Sequence, residues 1–120
     1  MPGRPGFVIV RAMTDTALLV YCTCPDGETA ARLAEAAVAG SLAACGNLLG
    51  PISSIYRWEG RIERSEEVLL LLKTTAAAYD GLESLLRTQH PYEVPEIVAT
   101  PIARGLTSYI DWVKACTRDA

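Results

Sequence analysis

The chain has 120 residues, of which 50% are hydrophobic and 21% charged, and its 11 basic and 14 acidic side chains give a formal net charge of −3. That length is one domain with enough apolar material for its own core, which excludes intrinsic disorder. The weakly acidic balance excludes a non-specific nucleic-acid coat, and the longest apolar run is far shorter than the ~18–20 residues of a membrane-spanning helix, so neither nucleic acid nor membrane is an expected partner.

Residues 1–16 open with prolines and glycines and contain Phe7-Val8-Ile9-Val10 between Arg4 and Arg11. Four apolar residues do not make a secretory core segment, so this stretch reads as a partly disordered extension ahead of a domain over 17–120. Ala17–Cys24 is short, nearly all apolar and β-rich at its centre, the signature of a strand in the middle of a sheet. Pro25-Asp26-Gly27 breaks it, and Asp26 can cap a helix with Glu28 in its first turn. Ala30, Leu33, Ala34, Ala37 and Val38 then supply one helical face, with Gly40 near the stop. Cys45–Trp58 is strand-like, interrupted early by Gly46, Gly50 and Pro51, as on an edge strand. Its later part puts Ile52, Ser54, Tyr56 and Trp58 on one face and Ser53, Ile55 and Arg57 on the other. Glu59-Gly60 is a two-residue turn. The return strand has a charged section, Arg61–Glu67, and an aliphatic one, Val68–Leu72. Thr74 or Thr75 can cap a second helix with Tyr79, Leu82, Leu85 and Leu86 inward, which must end before Pro91. A stiff loop from His90 to Glu96 leads to a short strand, Ile97–Thr100, stopped by Pro101. After Gly105, Leu106, Tyr109, Ile110 and Val113 mark a last helix.

The order β-α-β-β-α-β plus a terminal helix predicts an α+β, ferredoxin-like fold: an antiparallel sheet with strands one and three central and two helices on one face. The long hairpin Ile52–Glu67 carries Tyr56, Trp58 and Ile62 near its tip. An exposed edge with aromatics invites pairing with another chain, so a homo-oligomer is expected.

Four cysteines, Cys22, Cys24, Cys45 and Cys116, are too few for a disulfide scaffold and contain no C-x-x-C, which points to reduced thiols in the cytoplasm. Cys22 and Cys24, two apart on a strand, face the same way and could hold a soft ion such as Cu(I); plain core packing is the simpler account of the pair alone. Cys24, at the strand's end, reads as the less buried of the two. Cys45 and Cys116 read as packing residues. His90 is the sole histidine and thus the only source of an imidazole ligand or base. Glu66 and Glu67 read as a solvated edge, whereas Glu93 and Glu96 flank Pro95 and could line a cleft with His90. No phosphate-binding loop, hydrolase serine elbow or H-E-x-x-H occurs, so neither an enzyme nor an organic cofactor is expected; a Cys–His nucleophilic pair is formally possible.

Five stretches together resemble the CutA divalent-cation-tolerance family: Tyr21-Cys22-Thr23-Cys24-Pro25-Asp26 with Glu28-Thr29-Ala30, Leu42-Ala43-Ala44-Cys45, Ser54-Ile55-Tyr56-Arg57-Trp58-Glu59-Gly60, Val68–Lys73-Thr74-Thr75, and His90-Pro91-Tyr92-Glu93-Val94-Pro95-Glu96-Ile97. The likeness runs from about residue 17 to 116. It implies a ferredoxin-like subunit in a homotrimer similar to the PII-type signalling trimers, in the cytoplasm, linked to tolerance of copper and other divalent cations, with no enzymatic activity. The family's copper site implies Cys22 and His90 as ligands for Cu(I) or Cu(II). Where the family has a first histidine this chain has Gln89, a weak copper ligand, and Cys24 could replace the lost imidazole with a second soft donor. The alternative is a PII-like regulator that binds a small anionic ligand or a protein between subunits, with Arg57, Trp58, Lys73, Tyr92, Glu93 and Glu96 as candidate lining residues.

Overall fold

The apolar run Ala17–Cys24 forms β1, and its position is the key to the fold. A computed structural model describes residues 16–118, so the extension expected over 1–16 lies outside the described residues but for Thr16, whose carbonyl accepts from the Ala76 N–H at 2.8 Å. After β1 come α1 (Gly27–Ala39), β2 (Cys45–Trp58), β3 (Arg61–Thr75), α2 (Ala76–Gln89), β4 (Ile97–Pro101) and α3 (Thr107–Cys116). The strands form one antiparallel sheet in the order β2-β3-β1-β4. The two continuous apolar segments are therefore central, and the proline-bearing strands are edges. This is the ferredoxin-like α+β arrangement expected from the element order.

Both caps work as the sequence suggests. The Asp26 carboxylate accepts from the Thr29 N–H at 2.8 Å, and the Thr75 hydroxyl from the Ala78 N–H at 3.3 Å. The core lies between the helices and one sheet face, where Val20, Cys22, Cys24, Leu70 and Leu72 meet Ala30, Leu33, Ala37, Leu82 and Leu86. Each fully buried aliphatic side chain there contributes about 1.5–3 kcal/mol. Gly46 lets α1 lie close to the sheet: a Cβ on it would stand 3.0 Å from Leu72 and 3.1 Å from Ala34. Val38, expected on the inward face of α1, is 41% exposed. At 3.6 residues per turn it sits roughly 90° from the centre of the Ala30–Ala37 stripe, on its flank.

The hairpin is long and regular. Glu59 and Gly60 have φ of +50° and +79°, the left-handed pair that a tight type I′ turn requires. Pairing runs from Trp58↔Arg61 back to Cys45↔Lys73, with one register shift between Leu49 and Ile52. The two sections foreseen in the return strand are one continuous β3, charged and mostly exposed near the turn, apolar towards the core. On α3, only Val113 of the expected apolar face is buried, and Leu106, at the helix start, is 73% exposed. The helix packs on β1 and β3, and Tyr109 of its stripe reaches Cys45 at the start of β2, the hydroxyl 3.4 Å from the sulfur. The whole measures 57 × 30 × 26 Å with a radius of gyration of 16.0 Å; a compact domain of this size has about 13 Å.

Candidate functional site

Strand alternation sends the Cys22 and Cys24 side chains to the helix-covered face. The other participant arrives from α2. Pro91 forces the preceding residue out of helical geometry, and His90 leaves the helix with φ −75° and ψ 140° while its N–H still donates to the Leu86 carbonyl at 2.9 Å. That turn carries the imidazole to the end of β1. The two sulfurs and a ring nitrogen of His90 all lie within 4.8 Å of one another. The site is closed: both cysteines are fully buried and His90 is 7% exposed. The expectation that Cys24 is the more open thiol is therefore corrected. α1 starts three residues after it, and Ala30 and Leu33 join it in the same buried cluster.

The thiols divide one ionisation between them. Cys22 is pushed far above the ordinary thiol range, first by its hydrogen bond with the Cys24 sulfur and then by burial. Cys24 is pulled below it by the same hydrogen bond, against its own burial. The Cys24 thiol itself donates to the Cys22 carbonyl at 3.9 Å. His90 is equally committed. Its Nδ1 accepts from the Tyr92 N–H at 3.0 Å, so the ring proton is on Nε2, which donates to the Thr23 carbonyl at 2.8 Å. Either nitrogen becomes a ligand only by giving up one of these bonds. Gln89 is exposed, and its backbone carbonyl accepts from Arg32 at 3.4 Å.

Thr23 and Tyr92 also wall a cleft of about 650 Å³ on the other side of the triad. Of the six residues proposed for a cleft, Trp58, Tyr92, Glu93 and Glu96 line it. Arg57 and Lys73 are absent from its lining. Arg57 is an exposed hairpin residue opposite Ile62, and the Lys73 ammonium donates to the Asn47 side-chain oxygen. Tyr56 and Glu67 line it too, unforeseen as such. Glu67, read from sequence as a solvated edge, is 7% exposed and accepts from the Tyr92 hydroxyl at 2.8 Å. It is the last carboxylate before the aliphatic half of β3, which is the signal that it already lies under the loop. Burial and this hydrogen bond raise the Tyr92 phenol well above its ordinary value, so it remains a donor. Cys45 and Cys116 are half-buried, Cys45 with its sulfur 3.4 Å from the Tyr109 hydroxyl.

A family model described as CutA1 divalent ion tolerance protein matches residues 18–116. The divalent-cation tolerance protein CutA of Thermus thermophilus is 46% identical over 99 residues, covering 82% of this chain and 96% of that protein. Its namesake from Escherichia coli is 39% identical over 108 residues, covering 90% of this chain and 96% of that protein. The crystal structure of CutA1 from Oryza sativa superposes with a TM-score of 0.85 at 38% identity, over 90% of this chain and 99% of that one.

Proposed function

Because the chain belongs to the CutA1 divalent ion tolerance family, we propose that it serves cation tolerance by holding a thiophilic metal ion, copper as Cu(I) before Cu(II), between Cys22, Cys24 and His90. The observation that carries this reading is the convergence of the three donor atoms within 4.8 Å. Cys22 and Cys24 would supply two thiolates and His90 one imidazole nitrogen, the last on giving up its hydrogen bond with the Thr23 carbonyl or the Tyr92 N–H. Two sulfurs and one imidazole form a soft donor set, suited to Cu(I) and poor for calcium or magnesium. A bound ion supplies the charge that lets both thiols ionise together. The chain supplies the dry pocket, the spacing of β1 and the turn at His90. The family is named for a tolerance and not for a reaction, and we assign no catalytic step.

The reading includes a homotrimer of PII-like form in a reducing cytoplasm, where the two buried thiols remain available to metal. The free edges of β2 and β4, the exposed Leu48, Leu49 and Ile62 of the hairpin and the half-open face of α3 support association. The test is a competitive titration of fully reduced protein with Cu(I) and Cu(II), beside a Cys22→Ser/His90→Ala variant whose fold is checked by circular dichroism. Stoichiometric Cu(I) binding, lost in the variant, is expected. Binding that survives the double substitution sinks the assignment, and an unchanged affinity in Cys24→Ser removes Cys24 from the ligand set.

The cleft favours a second reading, that of a regulator responding to a small ligand. Such a ligand raises the melting temperature of metal-free protein by mass action.

A further inference from the structure

The metal reading uses the buried triad and leaves the cleft beside it without a role. We propose that this cleft is a binding site for an organic ammonium ion, a primary or quaternary amine with an apolar body. The proposal gives chemistry to the second reading above and rests on that reading alone, not on the triad. Its ground is the character of the wall. Glu67, Glu93 and Glu96 bring three carboxylates, and no lysine, arginine or histidine is among the described residues that line it. A concave surface of one sign concentrates ligands of the other, so the small anionic ligand expected from sequence is the wrong charge for this cleft.

The carboxylates alone would suit any cation; the rest of the wall narrows the choice. Tyr56, Trp58 and Tyr92 present aromatic rings. Ring faces attract alkylammonium groups, while a small metal ion keeps its water shell and gains little from them. The ring of Tyr56 is fixed by its hydroxyl, 2.6 Å from the Ser65 oxygen. The volume of about 650 Å³ falls within the usual range for sites that enclose a small organic molecule.

Glu67 is the anchor. It is more than nine-tenths buried, and the partner it has among the described residues is the neutral Tyr92 phenol, 2.8 Å away, not a cation. A buried carboxylate satisfied by one neutral donor gains a charge-assisted hydrogen bond when a primary ammonium arrives, and an ion pair without a hydrogen bond when a quaternary one does. Tyr92 orients it, and the more exposed Glu93 and Glu96 supply the outer charge.

The test is isothermal titration of the full-length, reduced, metal-free protein in its native assembly. The probes are spermidine and butyltrimethylammonium, with magnesium at matched ionic strength and citrate as comparisons. Expected is saturable binding of at least one ammonium, weakened roughly tenfold or more by Glu67→Gln, and none of citrate. Should Glu67→Gln fail to fold, the exposed pair Glu93→Gln/Glu96→Gln carries the test with the same sign. Magnesium binding as tightly as either amine would reduce the cleft to a general acidic surface and overturn the proposal. So would citrate binding, or no amine binding at millimolar concentration. Because no copper is present in this titration, a negative result here leaves the copper titration unaffected, and the reverse holds.

Discussion

At the scale of single residues, His90 shows how much a local rule can place. The bar that Pro91 sets on helical geometry decides where α2 ends, and that decision puts an imidazole beside two thiols. Strand parity made the shared face of Cys22 and Cys24 legible, and the proline rule the end of α2; that His90 meets those cysteines was implied by the family resemblance alone, since the residues by themselves left core packing the simpler account. Glu67 and the burial of Cys24 were not legible, because each depends on a distant segment folding across it. Glu67 is covered by Tyr92, and Cys24 by α1. Asp26 offers a prediction here. Its carboxyl is held below the usual range by its hydrogen bonds with Thr29. A carboxylate with a depressed folded value stabilises above its unfolded value near 4, and the contribution is lost as pH falls through the folded value. Asp26→Ala therefore lowers the urea midpoint at pH 7 but changes little at pH 2. Asp26→Asn, an equally good cap, keeps the pH 7 midpoint and flattens the acid slope. An equal loss for both variants at both pH values would contradict this.

At the scale of elements, the hairpin turn is the clearest case of sequence reading through to geometry. Glu59-Gly60 was recognisable, and both residues adopt left-handed φ. A Cβ at Gly60 meets nothing within 4 Å, so Gly60→Ala isolates the backbone term. It should cost about 1–2 kcal/mol in chemical denaturation, with an unchanged m-value. Glu59→Asn, which tolerates this conformation better, should shift stability the other way. Gly46→Ala differs in kind: its Cβ presses on Leu72 and Ala34, so it wedges α1 away from the sheet. Overpacking of this sort costs roughly 1–3 kcal/mol, and near-ultraviolet circular dichroism should register the disturbed core. The apolar stripe of α3 was equally visible in the sequence, but its covering was not. A stripe announces that something packs on it without saying whether the partner belongs to the same chain.

At the scale of the molecule, β1 and β3 also show what a single chain leaves open. Tyr21, Leu69 and Leu71 lie on the sheet face away from Val20, Cys22 and Leu70, and they are only half-buried. If three copies associate through this side, Leu71→Glu should lower the sedimentation mass to that of the 12.9 kDa monomer while β-sheet content persists. The variant should also make the melting temperature independent of protein concentration. An unchanged mass would remove this face from the assembly. The strand order has a different consequence, which concerns the making of the protein. β1 leaves the ribosome first, yet its two neighbours are β3 and β4, and β4 ends only at Pro101. Contacts between such distant segments form late, and a domain of this kind completes as a unit once its last strand is free. Until then the strand that carries Cys22 and Cys24 has no sheet around it. The interval in which those thiols stand open to water, oxidant or metal is set by the pace of translation.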